Sequence, residues 1–512
     1  HTRFLQSYVL SYGRMRALAL LPLLCCCSQQ PAELSVVNGS ELDSFDPQLA
    51  TSAGSTRLLS AVFDCLTAID PQTGKLRNEL ASNYSSSDNN RQWRFYLRPD
   101  ARWSDGSKLT LIDVRDSWQR LQRPSTAAPY AGWLADATIE IVSGAVQLNF
   151  KSPQPLFATY CTYHALAPIP EVLRRATPGV IPENMTYSGP YKISVHRIRD
   201  FTRLSINGQH RDYSSASFPT IDFLSVDSQW TALNLYLDKQ ADYIPAVPQL
   251  SVEQLQQRHP AAISTTPSFA TYFVRLQQSA DQPLANRSLR MALALAVDRQ
   301  QLVALIGGRR KPAHALVPDL LPDYSSVADI SFNAAAAKAA LQDAIRELGD
   351  ENITIDYLYP ASEINRTIAE FLQQQWQVVL GIKVSLNQLE AKSFFPLQKS
   401  KDYQSSHSTW IGDYYDPFTF LELFQSGHRN NRSSFSNADY DALLAESQSC
   451  TDPALRLTLL ARAEKILIDE YAIIPLCFDS NIQLLRPNIT GHVPNKFGII
   501  EWQHLRREVA HD

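Results

Sequence analysis

Glycine is scarce in this chain, 18 residues in 512 against 30 prolines, so its turns are stiff more often than permissive. Charge of one sign is lacking too: 47 Lys and Arg stand against 51 Asp and Glu, a net charge of −4. That balance excludes a generally basic nucleic-acid binder. No apolar run reaches the roughly 18–20 residues of a bilayer span, so no membrane-spanning domain is expected. Catalytic signatures are missing as well: there is no H-E-x-x-H, G-x-S-x-G, Walker loop or G-x-G-x-x-G. No C-x-x-C occurs, so neither a metal site nor a cofactor is expected. The histidines are scattered, and His164, His196 and His407 read as surface or capping groups. Asp413 with Asp416 is an acidic pair, but Asp416-Pro417 is also an ordinary turn former. The balance favours binding over catalysis.

What is present supports large folded bodies. Hydrophobic residues make up 44% and aromatics 10%, enough to bury sizeable cores, and the length predicts about three structural units. Near the N-terminus, Arg14 and Arg16 precede the apolar run Leu18 to Leu24, which ends in Cys25-Cys26-Cys27. A positive segment, a short apolar core and a small-residue boundary read as an export signal over residues 1–27, with Met15 the expected start. The cysteine ending resembles a bacterial lipobox, with Cys27 the expected lipid carrier. Beyond it remain Cys65, Cys161, Cys450 and Cys477. Export permits disulfides, and four thiols allow three pairings, but buried free thiols are the simpler reading, for Cys65 especially.

Strand-like and helical runs alternate, which indicates an α/β or α+β fold. Asp452-Pro453 supplies an N-cap and first-turn proline for a helix through Leu455, Leu459, Leu460, Ala463, Ile466 and Leu467. Thr110 with Asp113 forms a capping box ahead of Val114, Trp118 and Leu121, and Ser436 with Asp439 repeats the pattern. Strands are expected over 140–150, 203–206, 353–358 and 382–386.

Several longer motifs are specific. Asn38-Gly39-Ser40-Glu41-Leu42-Asp43-Ser44-Phe45-Asp46-Pro47 and Val62-Phe63-Asp64-Cys65-Leu66-Thr67 precede Trp93-Arg94-Phe95-Tyr96-Leu97-Arg98, which leads to Trp103-Ser104-Asp105-Gly106. Ser188-Gly189-Pro190-Tyr191, the run Arg290 to Arg299, Trp410-Ile411-Gly412-Asp413-Tyr414-Tyr415-Asp416-Pro417 and Asn488-Ile489-Thr490-Gly491 follow in order. Together, over roughly residues 34–505, they resemble the family 5 extracellular solute-binding proteins, above all the oligopeptide- and murein-peptide-binding receptors of ABC importers.

The resemblance implies a two-lobed, hinge-closing α/β periplasmic binding protein fold of type II with an extra domain inserted in lobe one. Lobe one would comprise 28–66, 185–268 and 481–512, the insert 67–184 and lobe two 269–480. It implies a monomeric receptor, not an enzyme, in the periplasm and held to a membrane only by its lipid. Its partners would be a peptide ligand and the permease and ATPase subunits of an importer. By position, Asp413 would hold the peptide's α-ammonium, its competing role being to cap the Asp416-Pro417 turn. Tyr130 would touch the ligand, Trp410 would wall a pocket, and Gly39, Ser40 and Glu41 would border the cleft. The chain also departs from those relatives. Between 398 and 409 it offers Lys399, Lys401 and His407 but no arginine, position 391 is alanine rather than tryptophan, and Arg275 stands where they carry an acid. One pocket would then have reversed its charge preference. A receptor for another solute, such as a metal chelate, haem or sugar, or a sensor or chaperone not coupled to import, are the alternatives.

Overall fold

The computed structural model describes residues 32–213, 218–321, 323–495 and 498–508. The export segment and Cys27 therefore lie outside the described residues. Runs rich in Val, Ile, Phe and Tyr assemble into one eleven-stranded sheet. Its strands in chain order are β1 (Leu34–Gly39), β2 (Tyr191–Arg197), β3 (Phe201–Ile206), β4 (Thr220–Ser225), β5 (Tyr243–Ile244), β6 (Ile263–Leu276), β7 (Lys311–Pro312), β8 (Thr354–Pro360), β9 (Lys383–Leu389), β10 (Ser405–Ile411) and β11 (Ile473–Leu485). They lie in the order β9-β8-β10-β6-β11-β5-β1-β4-β3-β2, with β7 against β11.

Two strands organise the rest. β6 has 14 residues and β11 has 13, about twice the usual strand length. They pair antiparallel, with a register shift between Pro267 and Thr271. Pro267, which has no N–H to donate, stands at the edge of that break. On one side of it β11 hands over to β5, then β1, β4, β3 and β2. On the other side β6 pairs with β10, and β8 and β9 follow in parallel. The sheet is thus two half-sheets that share β6 and β11.

Helices cover the second half-sheet, and their ends follow the capping chemistry. Asp452 accepts from the Ala454 and Leu455 N–H groups and opens helix Pro453–Asp469, as its sequence implies. The Thr110–Asp113 capping box opens helix Leu111–Gln122. The third expected cap is displaced by one residue: Asn437, not Ser436, accepts the Tyr440 N–H and starts helix Ala438–Ser449. The strand expected over 140–150 is also two strands, Thr138–Val142 and Ala145–Asn149. They are joined where Ser143 and Gly144 both take positive φ, 49° and 78°, as a tight hairpin turn requires.

Those two strands complete a separate four-stranded sheet with Ala81–Ser87 and Gln92–Leu97. Helix Leu111–Gln122 packs Trp118 edge-on to Phe95 and Phe157, with ring centroids 5.9 and 5.7 Å apart. The Trp103–Gly106 motif proves to be scaffold. Gly106, at φ 87°, donates its N–H to the Trp103 carbonyl, while Ser104 exchanges hydrogen bonds with the Tyr187 backbone. A buried ion pair from Arg120 to Asp46, 2.6 Å long, ties this unit to the Asp46-Pro47 turn. Cys65, Cys161, Cys450 and Cys477 are all free.

Candidate functional site

At its C-terminal end β10 meets a tight turn. Gly412 donates its N–H to the Phe269 carbonyl, and a Cβ added to Gly412 would collide with the Phe269 ring. The turn presents Asp413, whose backbone N–H donates to Thr419 Oγ1 at 3.1 Å. Asp416 takes the structural role. Its carboxylate accepts two hydrogen bonds from Arg456, at 2.6 and 2.9 Å, and another from the Phe418 N–H. Asp413 is therefore not the cap of the Asp416-Pro417 turn. Among the described residues no hydrogen bond or ion pair within 4 Å reaches its carboxylate. Burial pushes that carboxyl up to about 6, against the opposing pull of Arg429.

The surroundings of Asp413 come from two parts of the chain. Tyr130 and Tyr163 feel its charge, and their hydroxyls lie 3.1 Å apart. Tyr130 packs on Trp133 at 4.6 Å, Trp133 stacks on Tyr160 at 4.9 Å, and Tyr160 meets Tyr414 edge-on at 4.8 Å. Arg429 donates to the Pro129 carbonyl across the same junction. Glu422, which accepts from the Tyr414 hydroxyl at 2.8 Å, is pushed up to about 8 by burial. At neutral pH Glu422 is mostly uncharged and Asp413 mostly charged. The result is a carboxylate walled by aromatic rings, a setting that suits a cationic group. Sequence reasoning found Asp413 and Tyr130. It missed Tyr163, Trp133, Glu422 and Arg429, which share no spacing with Asp413 and meet it only through the fold.

A second constellation is a cavity of about 370 Å³ under β10. Arg275, His407 and Trp410, each singled out from the sequence, line it together with Arg432, which was not. His407 is buried rather than at the surface, and burial pushes its imidazole down to about 4, so it is neutral. His164 is likewise buried, bonded to the Pro47 carbonyl and Thr56. A larger concavity of about 540 Å³ lies beside helix Leu111–Gln122. Its Arg120, Arg174 and Arg175 are already paired with Asp46, Asp113 and Glu171. Gly39, Ser40 and Glu41 follow one another at the end of β1. Glu41 accepts from the Arg199 N–H at 2.6 Å and from Ser225 at 3.4 Å, so its bonds run to β4 and the β2–β3 turn. Among the described residues none of the recorded contacts joins these three to Asp413 or to the cavity. No group of His, Cys, Asp and Glu there is arranged to hold a metal ion, and no helix there is long and apolar enough to cross a membrane.

Comparison with known proteins gives these features a context. The family model for bacterial extracellular solute-binding proteins, family 5 (middle), matches residues 75–432. The chain is 26% identical over 481 residues to an Escherichia coli K12 protein named "Probable deoxycholate-binding periplasmic protein YgiS", with 89% of each chain covered. It is 27% identical over 498 residues to the dipeptide-binding protein DppE of Bacillus subtilis strain 168, covering 91% of this chain and 90% of that one. The crystal structure of a periplasmic oligopeptide-binding protein from Borrelia burgdorferi superposes with a TM-score of 0.81 at 28% identity, covering 93% and 99% of the two chains.

Proposed function

Because the chain belongs to the bacterial extracellular solute-binding proteins of family 5, we propose that it is the receptor of an ABC importer for short peptides. It captures the peptide between two lobes and delivers it to a membrane permease powered by separate ATPase subunits. The observation that carries this reading is the half-buried Asp413 carboxylate, which feels Arg429 but has no ion pair within 4 Å among the described residues, beside Tyr130 and Tyr163. A peptide α-ammonium is the complement it lacks. Main-chain pairing with exposed strand edges would hold the rest of an extended ligand. Lobe one is 28–66, 185–268 and 481–512, the insert is 67–184 and lobe two is 269–480. The register break between Pro267 and Thr271 supports a hinge at the 268/269 boundary. Gly39, Ser40 and Glu41 border the cleft from lobe one.

The deoxycholate-binding name of one relative suggests a second reading, an amphipathic acid. Such a ligand has no cation to offer Asp413, which favours the peptide. We place the receptor outside the cytoplasm as a monomer held by lipid on Cys27, without cofactor and without turnover of its ligand. Replacing Cys27 by serine should abolish lipid labelling and release the protein from membranes. The deciding experiment is mass spectrometry of ligands retained by protein purified without denaturation, followed by calorimetric titration. Peptides with a free amino end should be retained and should bind. Equal affinity for a peptide and its N-acetylated form would overturn the assignment of Asp413.

A further inference from the structure

The two lobes proposed above also meet beside the register break, through side chains that take no part in the ammonium site. Between the pairs Pro267–Ser480 and Thr271–Phe478, the β6–β11 ladder leaves out Asp479. The Asp479 carboxylate accepts from Arg310 Nε at 2.9 Å. The Arg310 side chain is 9% exposed, lies 5.9 Å over the Tyr272 ring and donates through Nη1 to the Gly307 carbonyl at 3.4 Å. All of these residues belong to lobe two. The same Nη1 crosses to lobe one and donates to Gln249 Oε1 at 3.0 Å. The seat for Gln249 is made of backbone. Helix Arg299–Ile306 ends in Gly307 and Gly308, at φ 60° and 71°. A Cβ on Gly307 would stand 3.0 Å from Gln249 Nε2, and one on Gly308 would stand 2.8 Å from Gln249 Oε1. The notch needs both the positive φ and the missing side chains. The chain has only 18 glycines, so two in succession against one side chain of the other lobe mark a fitted contact. The Ser480 hydroxyl donates to the Gly308 carbonyl and fastens the notch to the register break. The insert meets lobe two as well, through Arg429 on the Pro129 carbonyl and Tyr160 against Tyr414. The lobes are thus in contact here, and Gln249 is seated.

We propose that Gln249 is an inter-lobe latch: seated in the Gly307–Gly308 notch and held by Arg310, it sets how much of the ligand-free receptor is closed. The proposal rests on the two-lobe peptide reading and adds its regulation. Swinging lobe two about the register break would draw the notch off Gln249 and leave the guanidinium one acceptor short. A hydrogen bond to a buried cation is among the stronger ones a protein makes. Opening is therefore opposed before any ligand arrives. A peptide that binds only the closed form has its affinity scaled by the closed fraction. The latch thus raises the affinity for every peptide by one factor, whatever its length or sequence. Asp413, by contrast, reads a particular group on the ligand.

The test compares the full chain carrying Gln249→Ala with the unaltered protein, both freed of co-purified ligand. Small-angle scattering reads the ligand-free radius of gyration, and calorimetric titration reads the affinities for trialanine and tetraalanine. Without ligand the variant should have the larger radius. Both peptides should bind it at least about threefold more weakly, by factors that agree within about twofold. Gln249→Glu keeps an acceptor opposite Arg310 and should restore both readouts. Gly308→Ala fills the notch and should reproduce Gln249→Ala. A lower thermal midpoint with radius and affinities unchanged would make the contact mere packing and overturn the latch. A loss confined to one peptide would make Gln249 a ligand contact and overturn it too. If neither peptide binds the unaltered protein, the peptide reading fails, and the radius of the ligand-free variant still decides the latch.

Discussion

Asp413 sets two observables in opposite directions. Its folded-state pKa of about 6 lies above the ordinary value of 3.8, so ionising it opposes folding. That cost is absent below about pH 4, grows as pH rises to about 6, and is constant above. Asp413→Asn should therefore stabilise the unliganded protein by about 1–3 kcal/mol at pH 7 and leave it nearly unchanged at pH 4, read from thermal midpoints. The same variant should weaken free-amine peptides by about 1.5–3 kcal/mol, the scale of charge-assisted hydrogen bonds, and barely affect N-acetylated ones. In the unaltered protein, affinity should rise about tenfold per pH unit up to pH 6 and then level off, because only the carboxylate pairs with an ammonium. A flat profile between pH 5 and 7, measured by titration calorimetry, would count against the pairing. Asp413 was legible in the sequence because it sits in a long motif. Glu422 and Arg432 were not, since their roles depend on burial and on which neighbours the fold withholds.

Elements were legible wherever side-chain chemistry acts within a few residues. The Asp452-Pro453 and Thr110–Asp113 helix starts are of this kind. The Ser143-Gly144 hairpin escaped because its apolar residues continue on both sides of the turn, so alternation alone shows no interruption. The Ser436 cap lost to Asn437, an equally good cap one position later. At this scale Asp416 is structural: it pins the turn after β10 to helix Pro453–Asp469 through Arg456. Asp416→Ala strands a buried guanidinium and should cost about 3–5 kcal/mol, seen as a lower denaturation midpoint. Gly412→Ala forces the Phe269 ring aside and should cost about 1–3 kcal/mol. Because it also shifts Asp413, it should weaken free-amine peptides more than N-acetylated ones.

At the scale of the whole molecule, family motifs conveyed the fold and the physics of individual residues did not. Nothing in β6 or β11 read alone says that either strand serves two half-sheets, because that depends on partners more than a hundred residues away in the chain. If the break at Pro267 is the hinge, ligand should shrink the protein. Small-angle scattering should show a smaller radius of gyration with a bound peptide, and Asp413→Asn should lose that contraction at the same peptide concentration. An unchanged radius at saturation would exclude closure.

The shared strands also decide how the protein comes apart. Fraying either half-sheet exposes a flank of β6 or β11 that the other half needs for its own ladder, so neither half can melt alone at small cost. Calorimetry should then record one endotherm across the folded body, its measured enthalpy equal to the van't Hoff value, where three independent units would give three. The register break at which a hinge is proposed would then be, on heating, a place where the molecule does not divide.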